Sequence, residues 1–423
     1  ANLSGKSRLP KKQKSKHTMT DATMPPTTVL AKLEELIKSI AETADPDATR
    51  RAIRARLSTN PIMMADMYKA SHAAQLPKDT TLITSFFEAR EGSELPHIVN
   101  FGLQMLLDEI AAIRILKEDV DEAKDFFAKT FGVEDVFNEA GWREIVDGGG
   151  HLPVAIHALP EGMVVPPGTP LFTVKNTNPK VPWIANWLET YLMHAWYPIT
   201  VASVAFRQRQ TLERYLALQQ VVPESSIASA AKMAFVDFGM RGVSSMTSAA
   251  RAGAAVLTSF ATSDNTLGGY ELGKAYGEAD AKAIFGSIPA AEHMTITIHG
   301  QPGEANLMRE KEAFLNMLRV YPTGCVSVVS DSYDYKEAVK KLWCGELVEF
   351  VKDRFMKAKA LKPTKPHALV IRPDSGDMIE NALYTLKNLA DAYGCTQNPL
   401  GFKTLSDEVK IIQGDGINME TYE

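Results

Sequence analysis

The 423 residues carry 46 Lys and Arg against 51 Asp and Glu, and the formal net charge of −5 gives no sign of a nucleic-acid or membrane-surface partner. With 45% hydrophobic and 23% charged residues the composition is that of a globular protein, and no apolar run is long enough to predict a transmembrane helix. Three widely spaced cysteines without a C-x-x-C pair argue against a disulfide scaffold or a zinc site and favour a cytoplasmic location.

Residues 1–58 are predicted to form a disordered basic tail followed by a helical extension. Six Lys and Arg precede the first acid, Asp21, and Val29–Ala41 has apolar residues at helical spacing. Folded sequence is expected to begin near Asn60, and residues 59–225 are predicted to form an α+β domain. Its predicted elements are a strand at Thr81–Arg90, helices within 98–141, short strands within Val154–Val174, and helices at Pro182–Ala195 and Val201–Gln219.

Residues 226–423 repeat one pattern, a short apolar run that ends in a turn with an Asp. The runs are Ala234–Val236, Leu257–Phe260, Val326–Val329, Ala368–Ile371 and Val409–Ile412. The acids that follow them are Asp237, Asp264, Asp331, Asp374 and Asp415. Because parallel strands of α/β folds bind ligands at their carboxyl ends, the pattern predicts one rim of a parallel barrel or of a doubly wound sheet.

Arg372 and Asp374 stand two residues apart after one of these runs, so on an extended segment they point the same way. The guanidinium could hold a phosphate, and the carboxylate could hold sugar hydroxyls or a metal. Taken alone, the pair also fits a surface ion pair. A helix is predicted at Asp377–Tyr393, with one apolar face made of Ile379, Leu383, Leu386 and Leu389.

His293 follows Glu292 and precedes Met294–Ile298, whose alternation predicts a strand. That strand would place His293 near the amino-terminal end of a barrel strand or on an approaching loop. The histidine could be a general base, a nucleophile or a purely structural residue.

Several longer motifs carry a family resemblance. They are D-x-Y-K at Asp66–Lys69, F-E-x-R-E at Phe87–Glu91, L-P-E-G at Leu159–Gly162, W-Y-P-I-T-V-A at Trp196–Ala202, D-F-G-x-R-G-V-S-S at Asp237–Ser245, P-A-A-E-H-x-T-I-T at Pro289–Thr297, V-S-V-V-S-D-S-Y-D at Val326–Asp334, I-R-P-D-S-G at Ile371–Gly376 and I-Q-G-D-G at Ile412–Gly416. From about Asn60 onward the chain resembles the nicotinamide phosphoribosyltransferases, which are type II phosphoribosyltransferases. The resemblance implies a phosphoribosyltransferase-type α/β barrel over 226–423. Because the family pattern continues past the last Asp strand, we expect this barrel to lack its C-terminal units.

The resemblance also implies an activity. Such an enzyme transfers phosphoribosyl from 5-phosphoribosyl 1-diphosphate to nicotinamide in NAD salvage, with Mg²⁺ and with ATP hydrolysed through a phosphohistidine. A homodimer with shared active sites is implied, without nucleic-acid or membrane partners. A nicotinate phosphoribosyltransferase, or an inactive binding or scaffold homologue, stays open as an alternative.

Each site residue has a role that the resemblance implies. Phe238 and Tyr68 of the partner subunit would stack on the pyridine, while Asp264, Ser327 and Gly414 would lie at the substrate, Asp264 accepting from its amide. Arg241 and Arg372, with Arg90 from the neighbouring subunit, would bind phosphate and diphosphate. Asp331, Asp374 and Asp415 would address the ribose and the magnesium-diphosphate, and Asp331 and Asp374 would bind the metal. His293 would accept phosphate from ATP and, with Asp331 and Asp374, would make up the catalytic set.

Overall fold

The computed structural model describes residues 60–220, 222–277, 285–414 and 416–422. Within these ranges no helix is long and apolar enough to cross a membrane. The predicted tail and helical extension over 1–58, and the predicted substrate residue Asp415, lie outside them.

The first half of the described chain mixes helices with antiparallel strands, as the patterns predict. Its strands are β1 (Thr84–Glu88), β2 (Ile98–Val99), β3 (Val154–Ala158), β4 (Val164–Val165) and β5 (Pro170–Asn176). Its α-helices are α1 (His72–Gln75), α2 (Leu103–Ala112), α3 (Lys117–Phe131), α4 (Glu139–Asp147), α5 (Ile184–Trp187), α6 (Glu189–Leu192) and α7 (Trp196–Gln219). Short 3₁₀ turns occupy Pro61–Met63, Met67–Ser71, Glu134–Val136 and Met193–Ala195.

The sheet of this half has the order β1-β5-β3, with β5 antiparallel to both neighbours. Buried residues of β5, including Leu171 and Phe172, belong to the same hydrophobic core as Trp142. The indole ring of Trp142 contacts two other tryptophans edge to face, with ring centroids 4.9 Å from Trp183 and 5.0 Å from Trp187. The three tryptophans are therefore core residues.

The second half contains parallel strands and the longer helices. Its strands are β6 (Cys325–Val329), β7 (Ala368–Arg372), β8 (Cys395–Gln397), β9 (Lys403–Leu405) and β10 (Val409–Ile411). Its helices are α8 (Ile227–Met233), α9 (Met246–Val256), α10 (Thr266–Tyr276), α11 (His293–Thr297), α12 (Asn306–Val320), α13 (Tyr335–Glu337), a π-helix (Ala338–Glu346), α14 (Val348–Leu361), α15 (Met378–Tyr393) and α16 (Met419–Tyr422). Two 3₁₀ turns lie at Glu224–Ser226 and Gly239–Gly242.

Helix α7 connects the halves. It begins at Trp196, earlier than the predicted Val201, because Pro198 in a first helical turn costs no backbone hydrogen bond. Its buried Ala202 shares a small core with Ala254 and Ala255 of α9, where short side chains allow the helices to approach closely. Separate cores lie on either side of this contact. The domain division near residue 225 stays a prediction.

The parallel strands form a continuous arc, as an α/β barrel wall requires. Strands β10, β7 and β6 are hydrogen-bonded in that order. Single parallel bridges extend the arc from Ser327 to Ala290, from Gly286 to Thr262, and from Ser263 to Asp237. Because β6 and β7 are buried on both faces, their sequences are apolar apart from Ser327 and the terminal Arg372, which is why the predicted bounds agree within a residue.

Two predicted strands are wrong. Ala234–Val236 follows directly on α8, whose last turn is closed by Ala234, and only Asp237 makes a strand-type bridge. Leu257–Phe260 continues the turns at the end of α9, where Phe260 N donates to Val256 O. Runs of three or four apolar residues do not distinguish a strand from a helix end that is buried to the same degree.

The predicted strand at Met294–Ile298 is also wrong, since the segment lies largely in helix α11. The backbone N–H of Glu292 donates to Thr295 Oγ1 at 3.1 Å, a local bond that starts the helix and that alternation of residue types does not reveal. Only Ile296 of the apolar residues is buried, while Met294 and Ile298 are exposed.

The predicted helix at Asp377–Tyr393 is confirmed as α15, but its buried face is not the predicted one. Ile379 is 71% exposed and Leu383 is 61% exposed, whereas Thr385 and Leu389 are fully buried. Thr385 Oγ1 lies 2.5 Å from the Tyr335 hydroxyl, so a hydrogen bond between helices holds the polar face inward. Of the predicted apolar face, only Leu389 points into the core.

Candidate active site

Asp331 is the centre of the site, at the carboxyl end of β6. The backbone N–H of Asp374 donates to its Oδ2 at 3.0 Å, and Ser375 Oγ donates to the same oxygen at 2.6 Å. Its other oxygen, Oδ1, lies 3.0 Å from His293 Nε2. With the side chain only 3% exposed, the carboxylate has a fixed orientation at the strand edge.

His293 is placed by the strand-type bonds that precede it. Ser327 N donates to Pro289 O and Ala291 N donates to Ser327 O, both at 2.9 Å, so this segment runs alongside β6. The imidazole therefore lies at the carboxyl end of the barrel wall, between Asp331 and Asp374, whose Oδ2 is 3.9 Å from Nδ1. The predicted position near an amino-terminal strand end is wrong, because the helix of His293 follows a strand segment instead of leading into one.

Arg372 links the carboxylates to an aromatic ring. Its Nη2 lies 3.8 Å from Asp374 Oδ2, and its guanidinium carbon lies 6.0 Å from the centroid of the Phe238 ring. Its Nε is buried without a hydrogen-bond partner among the described residues. A largely buried cation with an unused donor is suited to an anionic ligand oxygen.

The Phe238 ring is partly exposed and has Gly414 beside it. A Cβ at Gly414 would lie 3.4 Å from Phe238 Cε2, so β10 ends next to this ring. Asp264 lies one bridge further along the wall: its backbone N–H donates to Asp237 O at 3.0 Å, and its Oδ1 accepts a hydrogen bond from Ser287 Oγ. These contacts place an aromatic face and a carboxylate along the same edge as Asp331.

The other predicted site residues are not joined to this cluster. Among the described residues, no hydrogen bond, ion pair or ring contact connects Tyr68, Arg90 or Arg241 with it. Ser327 is buried on β6, and its backbone holds the 289–291 segment.

Tyr68 is 57% exposed yet held in place. Its ring contacts His72 edge to face at 4.8 Å, and His72 Nδ1 lies 2.7 Å from Asn186 Oδ1. The neighbouring Lys69 is buried and donates to Glu189 Oε2 at 2.7 Å. The Tyr68 ring is therefore exposed on a segment whose neighbouring side chains are held by hydrogen bonds.

Sequence reasoning missed two hydroxyls. Ser375 follows Asp374 directly in the R-P-D-S-G turn, so the sequence could have predicted that its hydroxyl lies at the site. Ser287 had no such signal, because only the bridge between Thr262 and Gly286 brings it to Asp264.

Known proteins match both halves of the chain. Residues 60–156 match the model of the nicotinamide phosphoribosyltransferase N-terminal domain, and residues 233–423 match the model of the nicotinate phosphoribosyltransferase family. A nicotinamide phosphoribosyltransferase of Xanthomonas campestris is 39% identical over 365 residues, which cover 86% of this chain and 72% of that protein. One of Acinetobacter baylyi is 27% identical, covering 86% of this chain and 74% of the relative.

The structure of human nicotinic acid phosphoribosyltransferase has the same fold, with a TM-score of 0.53 at 18% identity, covering 84% of this chain and 69% of that one. The predicted phosphoribosyltransferase-type architecture is thereby confirmed. From the family models and the extent of the Xanthomonas match it follows that this chain belongs to the nicotinamide phosphoribosyltransferase family of enzymes.

Proposed function

We propose that this enzyme transfers the phosphoribosyl group of 5-phosphoribosyl 1-diphosphate to nicotinamide and releases diphosphate. The observation that carries the proposal is the contiguous cluster of His293, Asp331, Asp374 and Arg372, with Phe238 beside the guanidinium. The pyridine nitrogen forms a bond to C1 of the ribose while the bond from C1 to the diphosphate oxygen breaks. Formation of nicotinamide mononucleotide from the two substrates and Mg²⁺, followed by chromatography, tests the proposal directly.

The residues at the carboxyl edge of the barrel wall bind different parts of the substrates according to their charge. Asp331 and Asp374 hold ribose hydroxyls, since carboxylates accept from hydroxyls and favour the cationic character that develops on the sugar. Arg372 binds phosphate oxygens with donors that are unused in the structure, such as its buried Nε. Phe238 positions the pyridine ring by stacking, and Gly414 leaves room beside it.

The remaining proposed roles rest on the family. Asp264 and Ser327 address the amide of the substrate, and Arg241 and Arg90 reach the phosphates. Asp415 completes the ribose and diphosphate contacts.

The donor set also fits magnesium. Among the described residues no three His, Cys, Asp or Glu form a ready metal cage. Magnesium in phosphate-transfer sites is commonly held by one or two carboxylates together with substrate oxygens, and Asp331 and Asp374 supply such a pair. When bound, the ion would stabilise negative charge on the departing diphosphate.

His293 is proposed to be phosphorylated by ATP. Because Asp331 lies 3.0 Å from Nε2, that nitrogen carries the proton and Nδ1 keeps its lone pair. Nδ1 then forms a bond to the γ-phosphorus while the bond to the ADP oxygen breaks. The phosphohistidine adds charge beside the donor site and assists donor binding.

The variant His293→Ala is expected to abolish ATP hydrolysis and ATP stimulation while a slow, ATP-independent transfer remains. The sugar transfer itself does not use the imidazole as a nucleophile, which is why it survives. Phosphate release and mononucleotide formation are measured in parallel, with the exposed His151→Ala as the matched control. ATP hydrolysis by His293→Ala at the parent rate would refute the phosphohistidine.

A homodimer with shared sites is proposed because Tyr68 and Arg90 are not connected to the cluster of their own chain, while Tyr68 is exposed and fixed. In this arrangement the partner subunit's Tyr68 covers the second face of the pyridine, and the partner subunit's Arg90 meets the diphosphate.

Mixing two inactive variants, Tyr68→Ala and Asp374→Ala, is expected to restore partial activity. A heterodimer contains one site with both residues intact, so up to about a quarter of the parent activity returns when subunits exchange randomly. Activity is measured before and after exchange that is confirmed by mass spectrometry of the mixed dimer. Absence of recovery after confirmed exchange would show that each site belongs to one chain.

Nicotinate transfer is the second candidate function, because residues 233–423 match the nicotinate phosphoribosyltransferase family model.

A cytoplasmic location is proposed because Cys325, Cys344 and Cys395 are free cysteines, as is usual in a reducing compartment.

A further inference from the structure

Lys69 is a buried lysine that stands next to the exposed Tyr68. Both residues lie on the short 3₁₀ turn Met67–Ser71. The Lys69 side chain is 1% exposed, whereas the side chain of Glu189, the carboxylate that pairs with it, is 51% exposed. A lysine rarely leaves the solvent so completely, since its ammonium loses its hydration. The substrate contacts proposed above do not use Lys69, so its burial needs a separate explanation.

Lys69 belongs to a closed cycle of contacts that includes Tyr68. Its Nζ lies 5.5 Å from the centroid of the Tyr68 ring and donates to Glu189 Oε2 at 2.7 Å. The same carboxylate oxygen accepts from Asn186 Nδ2 at 3.1 Å. Asn186 Oδ1 lies 2.7 Å from His72 Nδ1, and the His72 ring contacts the Tyr68 ring edge to face. The tyrosine ring is therefore held by an ammonium group and by an imidazole.

The residue before the turn is anchored to the same part of the protein. Thr190 Oγ1 donates to Asp66 Oδ2 at 2.7 Å and accepts from the backbone N–H of Asp66 at 3.2 Å. The three anchoring residues, Asn186, Glu189 and Thr190, lie on α5 and α6, which pack in the core of this half of the chain. The turn thus has a fixed support, and Lys69 joins this support to the exposed tyrosine.

We infer that Lys69 is a positioning residue that acts across the subunit interface, orienting Tyr68 for stacking on the pyridine in the partner's site. The inference rests on the shared-site dimer proposed above and deepens it. Because the Lys69 ammonium is buried and engaged by Glu189, it does not itself contact a substrate. A mobile tyrosine would have to be ordered whenever nicotinamide binds, so a ring that is fixed in advance favours binding. The effect should therefore fall on nicotinamide and not on the phosphoribosyl donor.

The test uses Lys69→Met and the matched control Lys129→Met, in which the replaced lysine is exposed and pairs with Asp125. Met keeps most of the buried aliphatic volume, and Glu189 is half exposed, so no buried charge is left without a partner. We expect Lys69→Met to raise KM for nicotinamide about tenfold, with KM for the phosphoribosyl donor within about threefold of the parent and Tm retained. Lys129→Met should match the parent in all three quantities.

Subunit mixing shows in which site the defect lies. When Lys69→Met is mixed with Asp374→Ala, each heterodimer has one fully intact site, so activity at low nicotinamide should rise about fivefold on exchange, to about a quarter of the parent activity. A mixture of Lys69→Met with Tyr68→Ala should not rise, because each heterodimer site then faces an altered turn of the other subunit. If Lys69 served only the site of its own chain, the two results would be reversed.

If Lys69→Met does not fold, Glu189→Gln takes its place, since it removes the ion pair and keeps an acceptor oxygen. A folded variant with the parent KM for nicotinamide, or reversed results in the two mixtures, would overturn the inference. A mixture of Tyr68→Ala with Asp374→Ala that fails to recover after confirmed exchange would contradict the shared sites and the inference together. A parent that binds nicotinamide more tightly than Lys69→Met does, but forms no mononucleotide, would contradict the proposed transfer alone.

Discussion

Replacing Asp331 with Asn is expected to lower kcat/KM for phosphoribosyl transfer about a thousandfold, at the upper end of losses seen for one preorganised electrostatic group. The Asp331 side chain is nearly buried. Its carboxylate accepts hydrogen bonds from the Asp374 backbone N–H and the Ser375 hydroxyl, and it lies within hydrogen-bond distance of His293 Nε2. An amide has one acceptor oxygen in place of two, so at least one of these donors would face an N–H₂ group. The charge that orients the sugar is lost as well.

Initial rates with both substrates varied, together with Tm, measure this effect. Asp353→Asn is a matched control, because Asp353 lies on α14 in an exposed pair with Lys357. A rate for Asp331→Asn within about tenfold of the parent, in a folded protein, would remove Asp331 from the catalytic set.

The parent enzyme is expected to prefer nicotinamide to nicotinate, and Asp264→Asn should reduce that preference about tenfold to a hundredfold. A carboxylate accepts a hydrogen bond from an amide N–H but repels the carboxylate of nicotinate. Ser287 Oγ donates to Oδ1 of Asp264 and fixes the group, which leaves Oδ2 for the substrate. An Asn side chain can pair with either substrate, so the basis of discrimination is lost.

Competition between the two substrates in one assay, read by mass spectrometry of the products, gives the ratio of kcat/KM values directly. Ser287→Ala is the control, because it removes the anchor and keeps the charge, so the preference should keep its sign. Equal or faster use of nicotinate by the parent would contradict the nicotinamide assignment and favour nicotinate transfer.

The sequence by itself determined the family and the ends of three strands of the barrel wall. β6, β7 and β10 agree with the predicted runs within a residue, because these short strands are rich in Val, Ile and Leu and end where polar turn residues begin. Asp331, Arg372 and Asp374 were selected on this basis, and the structure brings them together at one edge.

Only the tertiary structure decided the rest. The alternation at Met294–Ile298 suits a strand, but a local bond to Thr295 starts a helix there. The preceding segment, paired with Ser327 of β6, places His293 at the carboxyl edge. The inward face of α15 carries Asn381 and Thr385 as well as Leu389 and Tyr393, and Thr385 is held there by its bond to Tyr335.

The contact between Ser287 and Asp264 had no signal in the sequence at all, because it depends on a bridge between two distant segments of the chain. Periodicity and turn chemistry are local, and they fix which segments form strands and where those strands end. Which polar groups meet, and which face of a helix is buried, depends on contacts between distant segments, which the order of residues does not reveal.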